Sequence, residues 1–389
     1  MIVIFWISLF IVFYTFFGYG IFLYLLVKLR ILLKGKRVLQ TTNDDHLPTV
    51  TLIVAAYNEE AFILEKIANT LSLKYPEDKL SFLFVTDGSD DRTPEIISNY
   101  EKIKLLHQPQ RNGKIAAIHR AMETVTTEIV VFTDANTVLN DDAILNICRH
   151  YYDRSAGAVS GEKRVSIQDL SDATAGEGFY WKYESKLKTW DSELYTVVGA
   201  AGELFSVRTE LYDPIPPDSI LDDFMISMLI AKKGYRIVYE PMAYAIEGGS
   251  ENIQEELKRK IRIAAGGIQS IVRLGSILNP FSNFILSFQY ISHRVLRWTI
   301  TPFLLDVVFL VNGLILFYPH SALYNVLFAS QVIFYLFALA GWALEKKHLR
   351  IKALFIPYYF CMMNYAVIAG IVRYIQGNQS AIWEKSKRK

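Results

Sequence analysis

The first 27 residues contain no charged side chain, and this stretch limits the folds open to the chain more than any other. A helix needs about 20 apolar residues to cross the hydrocarbon core of a bilayer. A cleaved secretory signal would be shorter, with a basic leader and a small-residue cleavage site, and the sequence has neither. Five basic residues follow between Lys28 and Arg37. We therefore predict a retained transmembrane anchor at residues 1–30, and the positive-inside rule places the residues after it in the cytoplasm.

The C-terminal part of the chain repeats this membrane pattern. Residues 278–297 combine phenylalanine and isoleucine with histidine and arginine, which predicts a helix in the membrane interface. Within residues 298–374 we predict three transmembrane helices, at about 298–318, 322–344 and 353–372. The basic tail at 375–389 would then lie outside, against the usual charge bias, so either one span is re-entrant or the tail is an exception. The prediction is a multi-pass protein of the cell membrane.

The charge and cysteine content argue against two classes of site. The net charge is only +2, and the basic residues cluster beside the apolar segments, so no nucleic-acid partner is expected. Cys148 and Cys361 lie far apart in the chain, and Cys361 falls in a predicted span. Neither a disulfide framework nor a thiolate metal site is therefore expected.

The middle of the chain, residues 48–270, alternates strand-like and helix-like segments. Apolar runs of strand length occur at 50–56, 80–86, 103–106, 129–134 and 156–160, and apolar positions recur at helical spacing between the first four. Such alternation predicts an α/β domain with a mostly parallel sheet covered on both faces. In sheets of this kind, ligands bind outside the carboxyl ends of the strands.

Three of the predicted strands end in acidic or amide side chains, namely at Tyr57-Asn58-Glu59, at Asp87-Gly-Ser-Asp90-Asp91 and at Asp134-Ala-Asn136. Each cluster alone is ordinary turn chemistry. Together, at one sheet edge, they predict a site that binds hydroxyl groups and a metal. Asp134 and Asn136 offer the oxygen ligands that a hard divalent cation takes. Lys114 could offset a diphosphate, or it could be an ordinary surface lysine.

Six motifs resemble, in order and spacing, those of the family 2 glycosyltransferases. They are Val54-Ala-Ala-Tyr57-Asn58-Glu59-Glu60, Asp87-Gly-Ser-Asp90-Asp91, Asn112-Gly113-Lys114, Thr133-Asp134-Ala-Asn136, Gly199-Ala-Ala-Gly202 and Leu221-Asp222-Asp223. The membrane pattern is most similar to the synthases of cellulose, chitin oligomers, hyaluronan and poly-N-acetylglucosamine. The resemblance implies a Rossmann-like GT-A fold for residues 48–270. It also implies an inverting sugar transfer from a nucleotide-linked donor, and we expect a UDP-sugar.

The resemblance also implies a role for each matched residue. The nucleotide-sugar would be bound by Tyr57, Glu59, Asp87, Lys114 and Asp134. Asp134 and Asn136 would hold Mg²⁺ or Mn²⁺, and Asp223 would be the catalytic base. The acceptor would lie near Gly199, Gly202, Asp222, Arg259 and Arg262. The acceptor is expected to be a growing glycan or a lipid-linked sugar, with membrane lipid and export or accessory subunits as further partners.

Two positions depart from the family pattern. Asn136 replaces a carboxylate, which keeps an oxygen but removes a charge, and Ile263 replaces the tryptophan of the acceptor-channel motif. A tryptophan ring gives an acceptor sugar an apolar platform that isoleucine lacks. Arg259 and Arg262 are either a solvated basic helix face or contacts to phosphate. Three functions therefore stay open: a polysaccharide synthase, a single-transfer enzyme with a lipid-linked acceptor, and a catalytically silent membrane subunit.

Overall fold

The computed structural model describes residues 1–37, 47–165, 174–248, 252–347, 349 and 351–377, with only the backbone described at 174–181. The chain divides into two units. The helical unit comprises Met1–Lys28, Ile167–Leu187 and Glu251–Gln379, and the sheet unit comprises Leu29–Ser166 and Lys188–Ser250. Each unit is described by itself below.

The described residues form strands and helices with the following bounds. The strands are β1 (Val50–Ala56), β2 (Leu80–Asp87), β3 (Ile103–Gln108), β4 (Ile129–Asp134), β5 (Thr137–Leu139), β6 (Ala156–Val165), β7 (Leu204–Arg208) and β8 (Arg236–Glu247). The helices are α1 (Ile2–Phe13), α2 (Tyr19–Lys34), α3 (Ile63–Leu71), α4 (Thr93–Ser98), α5 (Lys114–Met122), α6 (Ala143–Cys148), α7 (Thr174–Leu194), α8 (Asp222–Lys232), α9 (Ile253–Arg273), α10 (Phe284–Tyr290), α11 (Leu296–Trp298), α12 (Thr301–Ile315), α13 (Ala322–Glu345) and α14 (Lys352–Ile375).

The sheet unit is built on one mixed sheet, with the strand order β3-β2-β1-β4-β7-β6-β8-β5 among the described residues. The strands β3, β2, β1 and β4 run parallel to one another. Beyond β4 the direction changes, because β7 is antiparallel to both β4 and β6, whereas β6 and β8 are parallel. The predicted α/β fold is confirmed, and its parallel half is the part in which strands and helices alternate along the sequence.

The apolar runs of the sequence form the core of the sheet unit. Every residue of β4 is buried, and β1 is buried at all but one position. Helix α3 packs Ile63 and Ile67 into the same cluster as the strand residues, because its apolar positions fall on one helical face. Register aligns the strand ends, with Ala56 opposite Thr86 and Ala55 opposite Asp134. The side chains that follow β1, β2 and β4 therefore share one sheet edge.

The helical unit contains the apolar segments. Among the described residues, three helical segments are long and apolar enough to cross a membrane, namely Ile2–Lys34, Ala322–Glu345 and Lys352–Ile375. A bent pair, Phe284–Trp298 with Thr301–Ile315, passes the same test as one span and is bent by 60°. The pair covers much of the predicted interfacial helix and the first predicted C-terminal span. The predicted basic tail lies outside the described residues from position 378 onward.

Candidate active site

A cleft follows this sheet edge, with a pocket at each end. Asp87, the last residue of β2, lies at one end of the cleft. The carboxylate accepts hydrogen bonds from the backbone N–H groups of Asn112 at 2.8 Å and Gly113 at 2.6 Å. Arg120 on α5 lies 3.6 Å from its other oxygen. Asp87 is only 5% exposed. Gly113 has a φ of +97°, a conformation that favours glycine, so this loop can bring its amides to the carboxylate.

Aromatic and cationic side chains line the same end of the cleft. The guanidinium of Arg111 lies 3.8 Å from the centre of the Tyr57 ring. The pocket at this end has a volume of about 350 Å³ and is lined by Tyr57, Asp87, Arg111 and Lys114. Glu59 is 5% exposed, and its backbone N–H donates to Thr93 Oγ1 at 2.9 Å. This end of the cleft can stack a flat ring and accept hydrogen bonds.

Lys114, the first residue of α5, links the two ends of the cleft. Its Nζ atom lies 2.9 Å from Asp134 Oδ1 and 3.3 Å from Asp222 Oδ2. Burial alone would lower the pKa of Lys114, but these two carboxylates outweigh that effect and raise it. The side chain is thus a fixed cation at neutral pH. The other end of the cleft is a pocket of about 220 Å³ that is lined by Lys114, Asp134, Gly202 and Asp222.

Asp223 lies at the start of α8, next to this pocket. Burial, followed by the neighbouring carboxylate of Asp222, raises its pKa to about 7, although Lys114 acts in the opposite direction. A carboxyl group with a pKa near 7 can exchange protons at physiological pH. A Cβ atom placed on Gly202 would lie 3.1 Å from Asp223 Oδ2. Gly202 therefore leaves open the space directly beside this carboxylate.

The Gly199–Gly202 loop is held against α8. A Cβ atom on Gly199 would lie 2.1 Å from the Phe224 ring, and Gly199 has a φ of +86°. The Ala200 N–H donates to Ser227 Oγ at 3.0 Å, and the Ala201 N–H donates to Ser160 Oγ at 3.1 Å. The loop can approach α8 closely because it lacks bulky side chains.

The donor set at the end of β4 fits a hard divalent cation. Asn136 Oδ1 is buried and has no hydrogen-bond partner among the described residues. Asp134 adds a carboxylate that is 9% exposed. No group of three or more His, Cys, Asp or Glu side chains in the described part of the chain could hold a metal ion. A cation here would therefore complete its shell with water and substrate oxygens, which suits Mg²⁺ in particular.

Arg259 and Arg262 lie on α9, in the helical unit. Arg259 Nε lies 3.2 Å from Glu256 Oε2, in an ion pair along the same helix. One turn after Ile263, a Cβ atom on Gly267 would lie 2.6 Å from the indole ring of Trp298. Trp298 lies 35 positions beyond Ile263 and on another helix, so the sequence around position 263 gives no sign of this contact.

Sequence reasoning missed three cations of the sheet unit. Arg111 stacks on Tyr57, and Arg120 faces Asp87. Lys66 is 1% exposed, although lysine is almost never fully buried. A signal for Lys66 was present, because it lies between Ile63 and Ile67 on the apolar face of a predicted helix.

The fold and the acidic strand ends together define a GT-A domain. Residues 51–215 match the family model described as Glycosyl transferase family 2. The solved structure of mannosyltransferase PcManGT from Pyrobaculum calidifontis, in complex with GDP-Man and Mn²⁺, superposes with a TM-score of 0.73. The superposition covers 97% of this chain and 100% of that chain at 23% sequence identity, which establishes the shared fold. The chain contains a glycosyltransferase family 2 domain with a GT-A fold.

Two curated relatives agree with this assignment. The poly-beta-1,6-N-acetyl-D-glucosamine synthase of Staphylococcus aureus is 26% identical over 242 residues, which cover 59% of this chain. The beta-monoglucosyldiacylglycerol synthase of Trichormus variabilis is 30% identical over 167 residues, which cover 41% of this chain. The chain spans 57% and 34% of the lengths of these relatives. The predicted family is confirmed, and with it the class of enzyme to which the domain belongs.

Proposed function

We propose that the protein is an inverting glycosyltransferase that adds a sugar from a nucleotide donor, most readily UDP-linked, to a growing surface or extracellular polysaccharide. The observation that carries this proposal is the position of Asp223. Its carboxylate borders the open space at Gly202, and its pKa is raised to about 7. Tyr57 and Asp87 line the opposite end of the same cleft, and Lys114 lines both ends.

Asp223 acts as the general base in this proposal. It takes the proton of the acceptor hydroxyl as the hydroxyl oxygen forms a bond to the anomeric carbon, and the bond from that carbon to the diphosphate oxygen breaks. One displacement inverts the anomeric configuration, so an α-linked donor gives a β-linked product. A positioned base typically contributes about 10²–10⁴-fold to the rate. The Gly199–Gly202 loop leaves the acceptor room to approach.

The donor is bound at the other end of the cleft. Tyr57 and Arg111 stack against the nucleobase of the donor, and Asp87 and Glu59 accept hydrogen bonds from its nucleoside. Lys114 lies where the diphosphate would leave, and its fixed charge offsets that of the phosphates. Asp134 and Asn136 would hold Mg²⁺ or Mn²⁺, which supplies further neutralisation of the leaving diphosphate.

The apolar helical segments and the basic residues beside them support the same proposal. The three long apolar helical segments favour a multi-pass protein of the cell membrane. The basic residues between Lys28 and Arg37, at the C-terminal end of the first segment, favour a cytoplasmic sheet unit. The S. aureus relative is named for a polysaccharide product, which favours a polymer here. Membrane lipid would surround the helices, and export or accessory subunits would be partners on the route of the product.

A single transfer to a lipid-linked acceptor is the second candidate. Ile263 offers no stacking platform, and Arg259 is paired with Glu256. The Trichormus relative is named for a glycolipid product, which also favours this candidate. Here Asp223 would keep its role, and only the acceptor would change.

Sugar transfer by the full-length protein in liposomes tests both candidates. The assay uses a panel of labelled UDP-sugars and GDP-mannose with Mn²⁺ or Mg²⁺, and the products are sized. A ladder or polymer that is lost in Asp223→Asn supports a synthase. One added sugar on an added lipid acceptor supports the second candidate. Absence of transfer from every donor, with lipid acceptors present, would favour the silent subunit.

A further inference from the structure

Lys66 is a buried lysine beside the turn that carries Asp134 and Asn136. Its side chain extends from α3, and its Nζ atom donates to Thr133 Oγ1 at 3.1 Å and to the backbone carbonyl of Thr137 at 2.8 Å. A longer contact of 3.4 Å reaches Thr137 Oγ1. Thr133 precedes Asp134, and Thr137 follows Asn136. One ammonium group therefore holds both ends of the turn.

Two threonine hydroxyls extend this network. Thr137 Oγ1 donates to the backbone carbonyl of Asp134 at 2.9 Å. Thr133 Oγ1 donates to the backbone carbonyl of Glu203 at 2.9 Å. Glu203 directly follows Gly202, which lies beside Asp223. The network thus joins the turn of β4 to the loop that borders the base.

Packing alone does not account for a lysine at this position. The other buried positions of α3 are Ile63, Ile67 and Thr70, none of them charged, and a methionine would fill a similar volume to Lys66. Burying an ammonium group costs several kcal/mol after relaxation, unless its partners return that cost. Burial lowers the pKa of Lys66 to about 7, and the charge of Asp134 acts in the opposite direction. The amine meets this burial with threonine oxygens as hydrogen-bond acceptors. Among the described residues, the hydrogen-bond partners of Lys66 are Thr133 and Thr137, which both belong to the turn.

We propose that Lys66 is a positioning residue that holds the 133–137 turn in the form in which Asp134 and Asn136 bind a divalent cation. The proposal rests on the proposed function. The side chain touches neither the substrate nor the cation, and it acts through the ends of the turn. Asn136 makes this support more important, because an amide binds a cation more weakly than the carboxylate that it replaces, so geometry must supply more of the affinity.

The test measures manganese binding rather than transfer. Full-length protein is titrated with Mn²⁺ in the presence of UDP, and separately with GDP, by electron paramagnetic resonance of free Mn²⁺. Binding of uridine without metal is measured by calorimetry. Lys66→Met is expected to weaken Mn²⁺ binding by about 10–100-fold, the range found when groups that orient metal ligands are removed. Uridine affinity is expected to stay unchanged, because Tyr57 and Asp87 do not contact this network.

Matched variants separate positioning from general damage. Thr133→Val removes one acceptor of Lys66, whereas Thr133→Ser keeps the hydroxyl, so the first is expected to weaken Mn²⁺ binding and the second to retain it. This pair decides the question if Lys66→Met cannot be purified. Lys74→Met removes an exposed lysine, and it is expected to change nothing.

The outcomes distinguish the two proposals. Equal Mn²⁺ affinity in wild type, Lys66→Met and Thr133→Val would overturn the role of Lys66 and leave the proposed function standing. Parallel loss of uridine and Mn²⁺ binding in Lys66→Met, with no difference between Thr133→Val and Thr133→Ser, would assign Lys66 to core stability and also overturn its role. A wild-type protein that binds Mn²⁺ with neither UDP nor GDP would overturn the metal-dependent function on which the inference rests.

Discussion

The two ends of the cleft hold their carboxylates in different ways. At the nucleoside end, Asp87 Oδ2 accepts hydrogen bonds from two backbone N–H groups, and its Oδ1 faces Arg120. At the reaction end, Lys114 contacts both Asp134 and Asp222, and Asp223 follows directly in the chain. The first end is therefore fixed by backbone geometry, and the second is balanced by charge.

This difference determines how each end responds to its surroundings. Backbone amides have fixed positions, so they hold the Asp87 carboxylate in one place. At the reaction end, burial and the charge of Asp222 raise the pKa of Asp223 and Lys114 lowers it, so the protonation of Asp223 depends on neighbouring charges. We expect substitutions at the reaction end to alter rate, metal response and pH profile. Substitutions at the nucleoside end should alter donor affinity alone.

The largest effect is expected from Asp223→Asn. The amide keeps the shape of the side chain but cannot take a proton, so kcat should fall by about 10²–10⁴-fold. Affinity for the nucleotide donor should change little, because the base acts on the acceptor. Transfer rates and equilibrium binding of UDP are measured on the same preparation. Full activity in this variant would remove Asp223 from the chemistry, and equal loss of UDP binding would point to misfolding.

The next effect is expected from Asp134→Ala. This variant removes the carboxylate of the candidate cation site and one partner of Lys114. Mn²⁺-dependent binding of UDP should weaken by about 100-fold, by analogy with the 10–100-fold losses at groups that only orient metal ligands. Titration of UDP with and without Mn²⁺ separates the two contributions. If the variant keeps the manganese dependence of the wild type, Asp134 is not a ligand.

Asp87→Asn tests the nucleoside end and should have a smaller effect. The amide oxygen can still accept from the Asn112 and Gly113 amides, but hydrogen bonds to charged groups are stronger by about 1 kcal/mol. We therefore expect KM for the donor to rise by about fivefold and kcat to stay near the wild-type value. Steady-state kinetics over donor concentration measure both. A fall in kcat with unchanged KM would contradict the proposed division of the cleft.

The sequence was sufficient to predict the parallel half of the sheet and the residues at its edge. Strands β1, β2 and β4 are continuous apolar runs that end in polar side chains, so strand ends and site residues are local features of the chain. Parallel register then brings those ends to one edge without further information. Tyr57, Asp87 and Asp134 follow directly from this rule.

The remaining contacts depend on residues that are distant in sequence, and no local pattern specifies them. Strand β7 pairs antiparallel with β4, and this pairing brings Glu203 to Thr133, 70 positions away. Lys66 faces a turn 67 positions away. Trp298 packs on Gly267 from another helix. Each contact joins side chains whose own segments look ordinary, so only the tertiary structure reveals them.

The smallest effect is expected from Asp222→Asn, and it concerns pH rather than maximal rate. Asp223 must be deprotonated to act as a base, and its pKa is raised to about 7 by burial and by the carboxylate of Asp222. Activity in the wild type should therefore fall as pH decreases through about 7. Removing the Asp222 charge lowers the pKa of Asp223, so this fall should move to lower pH.

Profiles of kcat/KM against pH measure this shift, and the position of the acidic limb is the readout, whatever the height of the plateau. Glu77→Gln, which neutralises an exposed carboxylate, is the matched control and should leave the limb in place. An acidic limb that keeps its position in Asp222→Asn would mean that Asp222 does not set the pKa of the base. The reaction end would then depend on burial more than on charge, and its contrast with the backbone-held nucleoside end would weaken.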